Sequence, residues 1–505
     1  MESLLKRPEL LTPRQMGEAD RRTIEAGTPG IVLMERAGAA VAAAAARRTR
    51  TRGRVAILCG PGGNGGDGFI AGRLLSEQRF DVELYLMGDA AALRGDPALA
   101  AARYAGPVAP AEAFDPSGAD LVIDALYGAG LARDLEGPSR QAVETINAYA
   151  EAGGEVLAVD VPSGVDGETG TIRGVAARAD ATITFHRFKP GHLLLPARQY
   201  CGALELADIG ITAAVAPSVY ANSPVVWRHV FPRPSADSHK FSRGTALVLS
   251  GGAHRTGAAR MAARAALRAG AGLVGLASPP DAVAANAAHV TALMIEPFAD
   301  AEAFRALLAD SRRNALLIGP GAGVTPETRA HVEAALTEPS DTPRGIVLDA
   351  DAISVFAGEP DALSALIARR GHAVALTPHE GEFARLFRGA EEVLSQRSKL
   401  ERARAAARRL GAIVIYKGAD SVVAGPDGRA TIGWDLPPTL ATAGSGDTLA
   451  GFVTGLIAQG MPTFEAASAA VWLHGACARA LGPGLIAEDL SEALPGVLRR
   501  LFEAG

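Results

Sequence analysis

The first half of the sequence places polar side chains directly after short apolar runs, where they could bind a ligand or move a proton. Asp124, Asp160 and Lys189 each follow a predicted strand. In an open parallel sheet, ligands bind beyond the carboxyl ends of the strands. Each carboxylate taken alone could be a helix cap. Because all three residues are expected at one edge of the same sheet, we interpret them as a ligand-binding site that contains acid–base groups.

A glycine-rich segment, residues 60–68, lies between a predicted strand and a predicted helix and contains Asn64 and Asp67. Glycine lets backbone N–H groups come close to a phosphate, and a helix N-terminus favours negative charge. The segment lacks the Lys and Ser/Thr ending of a P-loop, and a tight strand-to-helix turn could use the same glycines without any ligand. The Asn, Asp and Ser oxygens at this edge could also hold a hard cation.

The second half has its clearest chemical motif where Gly444, Ser445, Gly446 and Asp447 open a predicted helix. Backbone amides at a helix start can bind a developing anion, and Asp447 could accept a proton from a hydroxyl beside it. Asp447 could instead be a plain N-cap, although a cap needs no flanking Gly-x-Gly. The apolar residues that follow repeat at the spacing of a buried helix face: Leu449, Phe452, Val453, Leu456 and Ile457.

The elements that must position the first set of residues are N-terminal helices followed by alternating strands and helices. Residues 12–48 are predicted as helices, because residues 37–46 are almost all alanine. Strands are predicted at 55–58, 82–86, 121–123, 156–159 and 181–185, with a helix at 69–78. This alternation indicates a mostly parallel sheet covered on both faces.

A second series of elements begins at residue 246 and includes a long helix over 257–269. Strands are predicted at 246–249, 273–276, 316–318, 346–348, 374–376 and 413–415, with a hairpin from residue 422. The proline-rich region 211–238 has no sustained period, so it is predicted as the connection between two domains. We predict domains over residues 1–222 and 223–505.

Composition excludes several classes of protein. The 505 residues carry a net charge of −5, so there is no basic excess for binding nucleic acid. No charge-free apolar run is long enough for a membrane span, and the N-terminus lacks the pattern of a signal peptide. Three separated cysteines suggest neither a disulfide framework nor a metal site. We therefore expect a cytoplasmic enzyme with no membrane association.

Four segments of the first half together resemble the NAD(P)H-hydrate epimerase family: Leu33–Gly38, NGGDG at Asn64–Gly68, DALYGAGL at Asp124–Leu131 and DVPSGVD at Asp160–Asp166. The resemblance covers about residues 10–215. It implies an α/β fold of the Rossmann-like three-layer sandwich type. It also implies an enzyme that interconverts the R and S hydrates at C6 of the damaged nicotinamide ring. It also implies a potassium ion held by Asn64, Asp124 and Ser163.

The same resemblance implies which residues bind the hydrate: Gly63, Asn64, Gly65, Gly66, Asp67, Gly128, Ala129, Gly130, Leu131, Ala132, Arg133, Asp134 and Asp160. Gly63 departs from the family, which commonly has a second Asn at this position. The chemistry needs a group that moves a proton while the hydroxyl leaves and returns, or while the ring opens and closes. We expect Asp124 or Asp160 to be that group, with Lys189 close by.

The motif at Gly444–Asp447 resembles the ribokinase-like superfamily, in which the Asp deprotonates a hydroxyl that is then phosphorylated. Further segments narrow the resemblance to ADP- or ATP-dependent NAD(P)H-hydrate dehydratases, over about residues 230–500: His239–Gly244, Gly257–Ala259, Gly319–Gly323, Asp349–Ala352, Thr377–Glu382, Lys417–Asp420 and Leu440–Asp447. This implies a C-terminal ribokinase-like α/β domain that uses ADP with Mg²⁺. Glu380 replaces the more usual Pro, and Ser421 stands where Thr is common.

Residue by residue, the resemblance implies that Ala258, Gly323, His379 and Asp447 face the hydrate. It implies that Lys417, Gly418, Ala419, Asp420, Ser421 and Gly446 face the adenine nucleotide. The catalytic residues of the whole chain would then be Asp447, Asp124, Asp160 and Lys189. The expected substrates are NADH hydrate, NADPH hydrate and ADP, and we expect a homo-oligomer.

Two other interpretations stay open at this level. The second half could be a ribokinase-like kinase for a vitamin precursor that carries a hydroxymethyl or hydroxyethyl group. The first half could be a binding module that only tethers a partner, although a scaffold needs none of Asp124, Asp160 and Lys189. Recovery of dihydropyridine absorbance from hydrated NADH and ADP separates the kinase from hydrate repair. An epimerase assay of the isolated residues 1–222 decides whether the first half is only a binding module.

Overall fold

The structure, a computed structural model, describes residues 6–340 and 343–503. The chain divides into two compact units, of which the first ends at Val219 and the second begins at Tyr220. Both units are α/β, as the sequence predicts. Within the described ranges, every helix is too short or too polar to cross a bilayer.

The first unit is built on one seven-stranded, parallel sheet. In spatial order its strands are Val108–Pro110, Asp81–Leu86, Arg54–Cys59, Leu121–Ala125, Val156–Val159, Ala181–Phe185 and Ala203–Ala207. Its α-helices are Pro13–Glu25, Gly30–Arg48, Gly63–Glu77, Gly95–Ala102 and Gly137–Glu151. Sequence periodicity missed the two edge strands, 108–110 and 203–207, because neither is a long β-branched run.

The central strand Arg54–Cys59 shows why this unit has three layers. Val55 and Ile57 belong to one core cluster, together with Val41 of the helix Gly30–Arg48. Ala56 belongs to a second cluster, together with Val143 of the helix Gly137–Glu151. Because neighbouring side chains of a strand point to opposite faces, a wholly apolar strand needs helices on both sides. The predicted three-layer sandwich is therefore confirmed.

The second unit has a mixed sheet whose larger part is parallel. Its parallel strands, in spatial order, are Ile413–Tyr416, Ala373–Leu376, Gly345–Leu348, Arg313–Ile318, Thr245–Leu249, Leu273–Ser278 and Met294–Pro297. The predicted hairpin is confirmed and adds Val422–Ala424 and Ala430–Ile432 in antiparallel pairing. The short strand Met294–Pro297 was not predicted.

Helices cover the second sheet. Those of four or more residues are Pro224–Trp227, Thr256–Ala269, Val283–His289, Ala301–Leu308, Pro326–Thr337, Asp351–Ser354, Pro360–Ile367, Glu380–Leu386, Glu391–Leu394, Lys399–Leu410, Ser445–Ala458, Thr463–Leu481 and Ala487–Glu503. The helix Ser445–Ala458 packs on Thr256–Ala269 so closely that a Cβ at Gly451 would lie 2.2 Å from the Ala262 carbonyl oxygen. Glycine at this crossing lets the two backbones meet and fixes the helix that carries Asp447.

Residues 211–238, predicted as the connection between the domains, contain the division between the two units, but part of the segment has regular structure. Residues 219–221 form a strand, and the Asn222 backbone N–H donates a 2.9 Å hydrogen bond to the Ile432 carbonyl. The indole N–H of Trp227 donates to Asn222 Oδ1 at 3.2 Å, and Trp227 is fully buried. Tertiary pairing and an aromatic anchor therefore order a stretch whose prolines suggested only a linker.

Candidate active sites

The first unit contains a cleft of about 860 Å³ at the carboxyl ends of its central strands. Lys189, expected as a catalytic residue, lines this cleft. So do many residues expected to bind the hydrate: Gly63, Asn64, Asp67, Gly128, Ala129, Gly130, Leu131, Ala132, Arg133 and Asp160. Three expected residues, Gly65, Gly66 and Asp134, do not line it. The strand-end rule therefore places most of this set together.

The glycine-rich segment is shorter as a loop than the sequence suggested. The helix begins at Gly63, so Asn64 and Asp67 lie in its first turns. A Cβ at Gly65 would lie 1.8 Å from the Gly60 carbonyl oxygen, and a Cβ at Gly66 would lie 2.5 Å from Met34 Sδ. These two glycines allow the close packing of a tight strand-to-helix turn, and their expected contact with the hydrate stays a prediction.

The polar centre of the cleft is an ion pair between Lys189 and Asp160. Lys189 Nζ lies 2.6 Å from Asp160 Oδ1 and also donates to Thr184 Oγ1 at 2.7 Å. The Ala129 backbone N–H donates to Asp160 Oδ2 at 2.8 Å. Burial alone would raise the pKa of Asp160, but the Lys189 ammonium and these hydrogen bonds outweigh it and lower the pKa to about 2. Asp160 is therefore held as a carboxylate.

Two of the other carboxyl groups that line this cleft are held differently from Asp160. Burial raises the pKa of Asp67 well above its usual range, and the Asp160 and Asp20 carboxylates raise it further. Burial also raises the pKa of Asp20, an effect that Lys189 opposes and Asp160 reinforces. The cleft thus contains one carboxyl group whose pKa is lowered, Asp160, and two whose pKa is raised, Asp20 and Asp67.

Asp20 was missed by the sequence reasoning, which assigned residues 12–48 only to helices. It lies on the helix Pro13–Glu25, beside the buried residues Met16, Ala19 and Thr23. An acidic residue four positions after Met16 and next to Ala19 sits at the edge of an apolar face, and this was the available signal.

Asp124 and Ser163 lie behind the cleft wall and are both fully buried. The Asp124 carboxylate accepts hydrogen bonds from the Ser163 backbone N–H at 2.8 Å and from Ser163 Oγ at 2.6 Å. Burial raises the pKa of Asp124, because its donors are neutral groups that only partly offset the loss of water. Sequence reasoning expected Asp124 after its strand, but it is the fourth residue of Leu121–Ala125.

Asn64, Asp124 and Ser163 fit a potassium ion by the chemistry of their atoms. They supply amide, carboxylate and hydroxyl oxygens, which are the ligands that hard cations prefer. Asn64 Nδ2 is buried without a hydrogen-bond partner, so the amide of Asn64 is not fixed by its neighbours. The hydrogen-bond donors of buried Asp124 are all neutral, so a bound cation would stabilise its ionised form.

In the second unit, Asp447 lies in the first turn of the helix Ser445–Ala458, preceded by Gly444 in a left-handed conformation with φ 84°. A Cβ at Gly444 would lie 2.6 Å from Met261 Cε, so both the conformation and the contact favour glycine. The apolar residues expected on the buried face of this helix are all buried. Asp447 is therefore displayed at the N-terminus of a rigid, buried helix.

Lys417 links the start of this helix to a group of carboxylates. Lys417 Nζ lies 2.8 Å from Asp349 Oδ1 and 3.9 Å from Glu382 Oε2. A Cβ at Gly446 would lie 3.2 Å from the same Nζ. Burial raises the pKa of Asp447 to about 7, with the Asp349 and Glu382 carboxylates adding to the rise and Lys417 opposing it. Near neutral pH, Asp447 can therefore both accept and return a proton.

Gly323 lies in the loop after the strand Arg313–Ile318, and Ala258 lies in the first turn of the helix Thr256–Ala269. The Gly323 backbone N–H donates to Asp351 Oδ2 at 2.7 Å, and a Cβ at Gly321 would lie 3.5 Å from the Ala258 Cβ. His379 is about half exposed, and its Nδ1 accepts a 2.9 Å hydrogen bond from the Gly381 backbone N–H. Its imidazole thus caps the helix Glu380–Leu386 while remaining open to solvent.

The expected nucleotide-binding segment 417–421 is held by its own side chains. Asp420 is 5% exposed, and Lys399 Nζ lies 2.7 Å from its Oδ1. Lys399 Nζ also donates to the Lys417 carbonyl at 3.0 Å, and Ser421 Oγ accepts from the Gly418 backbone N–H at 3.0 Å. Through these bonds the Asp420 and Ser421 side chains hold the shape of the loop. The sequence did not predict the part of Lys399 in this loop, because Lys399 lies on a separate helix.

Comparisons with known proteins agree with this division of the chain. A family model described as YjeF-related protein N-terminus matches residues 30–191, and one described as NAD(P)H-hydrate dehydratase matches residues 246–495. The chain is 36% identical to the bifunctional NAD(P)H-hydrate repair enzyme Nnr of Salinibacter ruber, over 99% of this chain and 97% of that protein. It is 35% identical to the enzyme of the same name from Moorella thermoacetica, over 98% of this chain and 97% of that protein.

The second unit is also similar to a solved structure. The ADP/ATP-dependent NAD(P)H-hydrate dehydratase from Bacillus subtilis, co-crystallised with ATP/Mg²⁺, is 30% identical. The match covers 54% of this chain and 96% of that chain, with a TM-score of 0.46.

Proposed function

Because this chain belongs to the family of bifunctional NAD(P)H-hydrate repair enzymes, we propose that its two units catalyse successive steps on one damaged dinucleotide. The cleft of the first unit epimerises the R and S hydrates of NADH and NADPH at C6. The site around Asp447 dehydrates the S-hydrate with ADP. We place these activities in residues 1–222 and 223–505. A stereospecific dehydratase would leave one epimer unused, which explains why both activities share a chain.

In the first unit, we propose that the hydrate lies across the segments 63–67 and 128–134 with its ring near Asp160. The Asp160 carboxylate is the better candidate for direct contact, because it lines the cleft while Asp124 is fully buried behind it. Lys189 holds Asp160 ionised and oriented. Asp124 fixes the neighbouring loop through Ser163, whose Oγ accepts a 2.9 Å hydrogen bond from the Tyr127 backbone N–H.

Potassium would be held by Asn64, Asp124 and Ser163 in this proposal. When bound, the ion supplies a fixed positive charge at the strand ends. The chain's own contribution is the buried, neutral-donor environment of Asp124 and the amide of Asn64 at the cleft wall. These residues keep the 126–129 loop in place for the hydrate.

In the second unit, we propose that Asp447 accepts the proton of the C6 hydroxyl as the hydroxyl oxygen attacks the terminal phosphate of ADP. The bond between the two phosphates of ADP breaks, and AMP leaves with its electron pair. The amides at Gly446 and Asp447 lie at the helix start, where they favour the negative charge of the transferring group. Phosphate then leaves from C6 as a proton leaves C5, which restores the dihydropyridine. Ala258, Gly323 and His379 would face the hydrate, and Lys417–Ser421 would face ADP.

Magnesium with the nucleotide fits the acidic surroundings of Lys417. Mg²⁺ usually takes one or two protein carboxylates besides phosphate oxygens and water. Asp349 and Glu382 could supply these carboxylates. Both lie within 4 Å of Lys417 Nζ, and Lys417 is expected to face the nucleotide. When bound, the ion would neutralise phosphate charge during transfer. Lys417 meanwhile keeps the carboxylates from repelling the nucleotide.

The observation that carries the dehydratase proposal is the position of Asp447, half-buried at a helix start with a pKa near 7. The test is a repair assay with purified S-hydrate of NADH, run separately with ADP and ATP and followed by recovery of dihydropyridine absorbance. We expect recovery with ADP to exceed recovery with ATP. Absence of recovery with both nucleotides would contradict the proposal.

We also infer a cytoplasmic location and a homo-oligomer. Support for a reducing compartment comes from Cys59, Cys201 and Cys477, which are buried and form no disulfide. Light scattering of the purified chain tests the oligomeric state, and a monomer at all concentrations would contradict this inference.

A further inference from the structure

We propose that Asp20 is a second catalytic carboxyl group of the epimerase cleft, which exchanges a proton with the C6 oxygen of the hydrate. This inference rests on the proposed epimerase function. It adds a residue from the N-terminal helix to a reaction that we otherwise assigned to strand-end residues. Asp20 lines the same cleft as Asp160 and Lys189 but comes from a different element of the fold.

The neighbours of Asp20 on its own helix show that it differs from an ordinary surface acid. Glu18 pairs with Arg21 and Arg22, and Glu25 pairs with Arg21, all on the outer side of the helix. Asp20 is half-buried and makes no ion pair or side-chain hydrogen bond within residues 6–340 and 343–503. A half-buried carboxyl group without a protein partner, facing a cleft, is a candidate to contact a ligand.

The charges around the cleft favour a proton on Asp20. The carboxyl groups that line it are Asp20, Asp67, Asp96 and Asp160, and the cations that line it are Lys189 and Arg133. Lys189 is already paired with Asp160, and Arg133 is exposed on its loop. One buried ammonium, already paired with Asp160, therefore lies beside several carboxyl groups, so Asp20 has no cation of its own and its pKa is raised by burial.

The reaction needs such a division between an ionised and a protonated group. As the C6–O bond breaks, the acid gives its proton to the leaving oxygen, water forms, and the N1 lone pair makes an N1=C6 double bond. When water returns to the other face of C6, the N1=C6 pair moves back to nitrogen and a carboxylate takes the extra proton. Asp20 and Asp160 come from two elements and can serve the two steps in either direction.

The test measures interconversion of purified R- and S-hydrate by chiral chromatography in the absence of ADP, so that dehydration does not contribute. We expect Asp20→Asn to lower kcat by about 100-fold or more with little change in KM, as for loss of a general acid. Asp20→Glu keeps the carboxyl group and should recover part of kcat. Glu25→Gln is the matched control, because it makes the same chemical change at an exposed position of the same helix.

Dehydration of S-hydrate with ADP, measured on each variant, checks that the second unit is intact. If Asp20→Asn lowers the thermal stability, Asp20→Ser is a second variant that also lacks the carboxyl group. Wild-type kcat in Asp20→Asn, or a loss of kcat that follows the loss of stability across the variants, would overturn the inference. Failure of the wild-type protein to interconvert the hydrates would instead overturn the proposed epimerase function.

Discussion

Lys189 Nζ lies 2.6 Å from Asp160 Oδ1, and the lysine side chain is only 3% exposed. The two charges therefore depend on each other, because a buried ion without its partner loses the interaction that replaced water. Lys189 thus keeps Asp160 ionised in the cleft of the first unit.

We predict that Lys189→Met destabilises the first unit and lowers epimerase activity. Removal of one partner of a buried pair costs about 3 kcal/mol or more, since Asp160 would remain buried without a cation. Thermal unfolding and hydrate interconversion measure the two effects, while dehydration of S-hydrate should not change. Arg14→Met, at an exposed position, is the control. Equal stability of Lys189→Met and wild type would contradict the prediction.

Potassium should stabilise the first unit even when no substrate is present. A ligand that binds only the folded state raises stability with its concentration. We expect KCl to raise the unfolding temperature above that in choline chloride at equal ionic strength. In Asp124→Asn this difference should disappear, because the buried negative charge is gone. An identical response of wild type to both salts would show that potassium does not bind.

Asp447→Asn should lower dehydration of S-hydrate by about 10²-fold or more, because asparagine cannot accept the hydroxyl proton. Its shape is nearly unchanged, so epimerisation and thermal stability should remain as in wild type. Asp361→Asn is the control, since its side chain is 79% exposed. A dehydratase rate in Asp447→Asn equal to that of the control would exclude Asp447 as the base.

The dehydratase should lose activity as pH falls through about 7. Burial, together with Asp349 and Glu382, raises the pKa of Asp447 to about 7. The residue accepts a proton only when ionised, so kcat/KM should be constant above this pH and decline below it. Asp351→Asn removes one nearby negative charge but leaves the proposed Mg²⁺ carboxylates in place, so it should move the decline to lower pH. An unchanged profile in Asp351→Asn would show that Asp447 does not control it.

The close crossing of two helices should be necessary for dehydration. In Gly451→Ala, the new Cβ would lie 2.2 Å from the Ala262 carbonyl oxygen, so the helix that carries Asp447 must move. We expect a loss of about 1–3 kcal/mol of stability and a lower kcat. Gly496→Ala, in the helix Ala487–Glu503, is the control, because a Cβ there would come no closer than 3.9 Å to another residue, at the Arg500 side chain. Wild-type kcat in Gly451→Ala would contradict this argument.

Local patterns in the sequence were enough to predict most of the elements and much of the candidate cleft. The strand before Asp160 is a short apolar run, and the strand before Lys189 alternates threonine with apolar residues. Both patterns are typical of a buried strand. The helix after Gly444 was predicted from spacing alone and is buried as expected. Edge strands and the ordered segment after Val219 were missed, because their structure depends on partners distant in the chain.

The sequence by itself determined which side chains could act as acids, bases or ligands. It also determined that the strand ends would bring them to one edge, because strands that alternate with helices form a parallel sheet. Only the tertiary structure decided their states. It placed Asp124 behind the wall and Asp160 in the cleft, brought Asp20 to the same space, and paired Lys399 with Asp420. Burial and charge pairing arise between residues far apart in the chain, so no local pattern can specify them.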